Sequence, residues 1–116
     1  MSTTKLDGTR SVSFYTSVMR RAPRVPRSLI QFADMCGQTP DIIKRALRKQ
    51  GTTYKSLRNA ERDARITALP HRVRLRDVAL EVGFMSPAAF GDWHVKHYNF
   101  SWSARQFPSD PTERRT

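Results

Sequence analysis

RDVALEVGFMSPAAFGDWHVKHY runs from Arg76 to Tyr98 and holds the pattern on which the fold turns. With Leu75 just ahead of it, Val78, Ala79 and Val82 recur at the spacing of one helix face. Gly83 interrupts that face, and Phe84 follows, placed to fold back toward the core. Ser86-Pro87 then opens a second helix. Serine is a favoured N-cap, and proline fits the first helical position, where its missing N–H costs nothing. Phe90 is the expected core anchor of this second helix and Tyr98 its C-terminal one.

The same device stands earlier in the chain. Ser28 to Cys36 (SLIQFADMC) carries Leu29, Phe32, Ala33 and Cys36 on one face, with Ser28 as cap. Gly37 stops it, and Thr39-Pro40 starts a helix to Lys49 that buries Ile43 and Leu47, with Ile42 or Ala46 beside them. Gly51 closes that helix. Ala33 to Gly37 and Ala79 to Gly83 are both four residues; Gly37 to Ile43 is six and Gly83 to Phe90 is seven. A small residue lets two helices cross closely, and a glycine permits the sharp turn between them. One Ala-x-x-x-Gly match is weak. Two in tandem, both capped, predict paired helix-turn-helix units and disfavour a plain bundle.

The remaining segments join these units. Ser11 to Arg21 puts Val12, Tyr15, Val18 and Met19 on one helical face, and the two prolines of Ala22 to Arg27 end it. Arg20, Arg21, Arg24 and Arg27 make a basic approach to the first unit. Thr53 to Leu69 reads as a connecting helix with a weak apolar stripe of Tyr54, Leu57, Ala64 and Leu69 among mixed charges. Pro70 ends it, and His71 to Arg74 form a basic loop. A last short helix is expected from Ser101 or Ser103 to Phe107. No strand pattern appears, so the fold class is all-α. The expected division is an N-terminal tail and first helix over 1–27, the first helix-turn-helix over 28–51, and a linker helix over 53–69. The second helix-turn-helix with its terminal helix follows over 75–107, and a disordered tail over 108–116.

Composition narrows the function classes. The 116 residues include 21 Lys+Arg against 10 Asp+Glu, a net charge of +11. Such an excess favours a polyanionic partner, a nucleic acid or an anionic membrane face, over charge kept only for solubility. No apolar run approaches a membrane span, and the first ten residues lack the hydrophobic core of a signal peptide. A soluble cytoplasmic protein, associated with the nucleoid, is expected. The single cysteine, Cys36, excludes an internal disulfide and a cysteine-based zinc site, and reads as a small buried hydrophobe. His94 and His97 share a helix face but have only Asp92 as a local third ligand, so neither a metal nor any other cofactor is expected. Trp93 and Trp102 read as packing residues. Catalysis needs a nucleophile paired with a base, clustered carboxylates or a phosphate loop, and none is present, so an enzyme is not expected.

From Arg27 to Phe107 the chain resembles the AraC/XylS family of bacterial transcription regulators. The sharpest part is Val78-Ala79-x-x-Val82-Gly83-Phe84-x-Ser86-x-x-x-Phe90, which looks like the signature of that family's second helix-turn-helix. Gly51, Tyr54, Leu57 and Arg62 also fall at family positions. The resemblance implies two helix-turn-helix units joined by a linker helix, each placing its second helix in a major groove of double-stranded DNA. With some 27 residues ahead of the first motif, the chain looks like the single-domain subgroup typified by MarA and SoxS. Members of that subgroup bind asymmetric sites as monomers and recruit RNA polymerase, so an activator is the expected sign.

On the first recognition helix Asp41, Lys44, Arg45 and Arg48 form one outward stripe, expected to read bases. Arginine and lysine reach guanine O6 and N7; Asp41 could accept from cytosine or pair with Arg45. Thr39 and Lys49 are expected at phosphates. The second recognition helix turns Pro87, Ala88, Gly91 and Asp92 outward. Ala88 can pack on a thymine methyl and Asp92 can accept from cytosine. Ser86, Lys96 and His97 are expected at the backbone. Asp92 stands where the family often has arginine, His94 where it usually has a core aromatic, and Arg105 near a usual tyrosine position. These departures predict that the first unit carries most base specificity. They also keep two other readings open: an interaction module or anti-activator that retains the fold, and a non-specific nucleoid binder.

Overall fold

A computed structural model describes residues 10–69 and 73–106, and all statements of structure concern these residues. Seven helices and no strands occur among them: α1 (Val12–Arg21), α2 (Leu29–Cys36), α3 (Pro40–Lys49), α4 (Tyr54–Ala68), α5 (Leu75–Glu81), α6 (Pro87–Tyr98) and α7 (Trp102–Gln106). The expectations for 1–9 and for 107–116, and those for Pro70, His71 and Arg72, lie outside the described residues.

Side-chain caps set most of the helix starts. Ser11, Ser28, Thr39, Thr53 and Ser86 each accept a hydrogen bond from the backbone N–H three residues on. Each such cap contributes about 1 kcal/mol. α5 has no side-chain cap; Arg74 precedes it and instead bonds Asp77 in its first turn. α2 ends at Gly37 in the left-handed conformation, φ 69°. Its last carbonyls are closed by Gly37 N–H to Asp34 O and Gln38 N–H to Ala33 O.

α2 packs on α3, and α5 on α6, giving the two helix-turn-helix pairs. α1 and α4 cover the first pair, and α7 closes the second. Tyr15, Phe32, Ile43 and Leu47 fill the first half of a continuous core; Val78, Val82, Phe90 and Trp102 fill the second. Removing any of these from water is worth about 1.5–3 kcal/mol per side chain.

The segment between α1 and α2 does more than break a helix. Val25 and Pro26 are buried. Val25 N–H donates to Glu81 O of α5 at 2.9 Å, and Tyr54 Oη of α4 donates to Pro26 O at 3.3 Å. Val25 O lies so close to Gly83 that a Cβ there would sit 2.4 Å from it. The segment is a strap from the first unit, threaded between the linker helix and the turn of the second.

The linker helix corrects the sequence reading in part: Tyr54, Leu57 and Leu69 pack half-buried against the core as expected. Ala64 is exposed, while Glu61, Arg62 and Ile66 are buried. Two charged residues, Glu61 and Arg62, thus join the apolar ones on the face that meets the core, each with partners. Arg62 Nε donates to Val82 O at 2.8 Å, and its guanidinium lies 3.9 Å from the centre of the Phe84 ring and 5.3 Å from that of Trp93. Burial, with help from the neighbouring Arg58 charge, pulls the Arg62 pKa down to about 10, so it stays protonated at neutral pH. Arg65 donates to Met19 O at 2.9 Å, Ala22 O at 2.8 Å and Pro23 O at 3.1 Å. It also pairs with Glu61 at 2.9 Å and Glu81 at 3.2 Å. Arg62 thus ties α4 to the second unit, and Arg65 ties it to the end of α1 and the strap. Cys36 is half-buried against the core, and burial raises its thiol pKa to about 11.

Candidate nucleic-acid interface

Burying Ile43, Ala46 and Leu47 leaves one face of α3 turned to solvent. Asp41, Lys44, Arg45 and Arg48 line a single shallow hollow there, all four exposed. Asp41 forms no ion pair with Arg45, so that expected alternative is not the arrangement adopted. Lys49 and Thr39 are also exposed. Thr39 Oγ1 accepts the Ile42 N–H at 3.3 Å and so caps the helix. A second hollow adjoins the first, lined by Leu29, Lys44, Arg48, Thr52, Thr53, Tyr54 and Lys55. Lys44 and Arg48 border both. Lys55, which the sequence pattern did not single out, therefore extends the cationic surface onto α4. Its signal was present in its place on the first turn of α4 beside the first unit.

α6 offers a different surface. Pro87, Ala88 and Asp92 are exposed and Gly91 is half-buried, with no atom near enough to contact an added Cβ. Ser86 is half-buried and its oxygen caps Ala89 N–H at 3.1 Å. Lys96 is exposed, as is His97, whose ring stacks on Trp93 at 4.7 Å. The face thus combines small residues, one carboxylate and a few polar groups near its end. The cations are concentrated on α3.

His94 does not share this surface. It is fully buried among Phe90, Tyr98 and Trp102, with both ring nitrogens engaged. Its Nδ1 lies 2.9 Å from Phe100 O, and its Nε2 receives Arg105 Nε–H at 2.8 Å. His94 and Arg105 therefore meet and satisfy each other. Among the described residues no three His, Cys, Asp or Glu side chains are placed to hold a metal ion, and no helix is long and apolar enough to cross a membrane.

No protein-family profile matches the chain, and no curated protein matches it significantly. Solved structures do. One is a DNA-binding transcriptional dual regulator from Escherichia coli K-12, with a TM-score of 0.64 and 22% identity over 79% of this chain and 85% of that one. Another is the transcriptional regulator CdpR from Pseudomonas aeruginosa, with a TM-score of 0.57 and 23% identity. That match covers 72% of this chain but 27% of CdpR. At such identities the likeness is one of fold: the chain has the all-helical architecture seen in bacterial transcription regulators.

Proposed function

We propose that this chain is a sequence-specific, DNA-binding transcription regulator of the AraC/XylS type. The observation that carries the reading is the exposed cationic face of α3, presented by a helix-turn-helix frame whose structural neighbours are DNA-binding regulators. In this reading α3 enters a major groove. Lys44, Arg45 and Arg48 reach guanine edges and Asp41 accepts from cytosine. Thr39, Lys49 and Lys55 hold phosphates and fix the register. α6 enters the next groove, about 34 Å along the same DNA face. There Ala88 and Asp92 meet bases, while Ser86, Lys96 and His97 meet the backbone. The first unit supplies most of the base specificity. The protein acts in the cytoplasm as a monomer, as an activator through contact with RNA polymerase, and uses no catalysis and no cofactor.

The direct test is the double charge swap Lys44→Glu with Arg45→Glu, measured as DNA affinity of a folded variant. Losing two base contacts removes about 1–3 kcal/mol each. Retained affinity would remove α3 from the interface.

A second reading is favoured by one observation. The outward face of α6 carries Asp92 without a compensating arginine, and Met85 beside it is 78% exposed. A protein-interaction module that keeps the fold, such as an anti-activator, would use that surface. In that case the charge swap on α3 leaves function intact.

A further inference from the structure

The corner where α6 meets α7 contains a hydrogen-bond relay whose polarity is fixed by chemistry. Arg105 Nε can only donate, so His94 Nε2, 2.8 Å away, must be the unprotonated nitrogen. The imidazole proton therefore sits on Nδ1 and is donated to Phe100 O at 2.9 Å. Only the neutral, Nδ1–H form of His94 satisfies both neighbours. A second proton would have to enter at Nε2, where it would face the Arg105 guanidinium directly. It would do so in a fully buried site walled by Phe90 and Trp102.

The rest of the corner depends on this relay. Arg105 lies over the rings of Tyr98, at 4.5 Å, and Phe100, at 5.2 Å. Trp102, at the head of α7, packs edge-on against Phe90 at 5.4 Å, and its Nε1–H donates to Val73 O at 3.3 Å. α7 has five residues, too few to persist without these contacts. The charged and titratable groups around His94 offer no relief. Arg105 faces it from α7, and His97 and Tyr98 share its helix. From α4, Asp63 is engaged by Tyr98 Oη at 2.6 Å rather than by the imidazole. None of the described carboxylates pairs with His94.

We propose that His94 and Arg105 form a proton-sensitive latch, which holds α7 on the second helix-turn-helix at neutral pH and releases it when His94 is protonated. Release exposes Trp102 and uncovers Phe90, the anchor of α6. Burial is the main influence on His94 and lowers its pKa below the ordinary 6.5; Arg105 acts in the same direction. A folded-state pKa below the unfolded value gives stability that is complete above about 6.5 and is lost as the pH falls through the folded value. Within that window each pH unit shifts the closed-to-open ratio by up to about tenfold. If the DNA reading above holds, acid weakens the second unit's grip and leaves α3 in place. The latch itself does not depend on that reading.

The test is an NMR titration of the free protein from pH 8 to 5, following the imidazole nitrogens of His94 and the exchange of the Trp102 indole N–H. At pH 7.5 the expected form is neutral, with the proton on Nδ1. Below about 6.5 the protection of the indole proton, its exchange rate relative to the intrinsic rate at the same pH, should fall by up to about tenfold per pH unit. His94→Phe should make that protection independent of pH over the same range. Arg105→Met, which removes the opposing cation but leaves the burial, should weaken the pH dependence and serves if the phenylalanine variant does not fold. Protonation of His94 near pH 6.5 with Trp102 still protected would overturn the latch. So would an unchanged acid response in either variant. Because the readout needs no DNA, a failure of DNA binding leaves this result interpretable.

Discussion

Replacing Gly83 with alanine should be far more damaging than the same change at Gly37, and the difference measures the strap. Both glycines stand at helix-turn-helix turns with positive φ, 87° for Gly83 and 69° for Gly37. An L-residue in that conformation costs about 1–2 kcal/mol. At Gly37 an added methyl meets nothing within 4 Å, so Gly37→Ala should lose only that amount. At Gly83 the methyl would lie 2.4 Å from Val25 O and 3.2 Å from Pro26 O, both backbone atoms of a buried segment. The strap must then move, disturbing the Val25–Glu81 hydrogen bond and the burial of Val25. Overpacking of this kind adds about 1–3 kcal/mol, so Gly83→Ala should lose about 2–5 kcal/mol in total. Against a net stability of roughly 5–15 kcal/mol, that loss threatens folding at 37 °C. Urea unfolding followed by circular dichroism gives both values on one scale. Equal losses at the two glycines would refute the close passage of the strap beneath the second turn.

Further outcomes follow from the same geometry. Asp92→Arg should tighten DNA binding and steepen its salt dependence by about 0.9 in log–log slope, if the new cation reaches a phosphate; an unchanged affinity would show that Asp92 does not weaken the second unit. Lys49→Ala and Lys55→Ala should each reduce that slope by about 0.9 while leaving base preference intact, as read from binding to a panel of duplexes at several salt concentrations. Arg62→Met should lower unfolding free energy by about 1.5–3 kcal/mol, because a charged hydrogen bond to Val82 O is lost; thermal or urea unfolding checks it.

The helix-turn-helix pairs were legible because their ends are spelled out in residue types. Ser28, Thr39 and Ser86 cap the helices named from the sequence, and Gly37 and Gly83 take the left-handed turns expected of them. The apolar faces followed from spacing, since Phe32, Ile43, Leu47, Val78 and Phe90 sit where a 3.6-residue period puts them. The linker helix resisted the same reading. Its inner face continues through Glu61, Arg62 and Arg65, which hydropathy assigns to water, and only tertiary partners make those residues interior. Val25 and Pro26 were hidden for a related reason, as a buried strap between prolines has no period to detect. His94 was legible only as a histidine at a position where the resemblance implies a core aromatic. Its bond to Arg105 was not, because the two stand eleven residues apart across a turn. The exposure of Asp41, Lys44, Arg45 and Arg48 on one face was also predictable from the period of α3.

The most direct test of the central claim is selection of bound duplexes from a random DNA library at roughly physiological salt, since salt sets the non-specific background. The account predicts enrichment of an asymmetric site spanning about two helical turns, with the half read by α3 more strongly specified than the half facing α6. Enrichment of no sequence by the folded protein, or equal retention of every duplex, would contradict it.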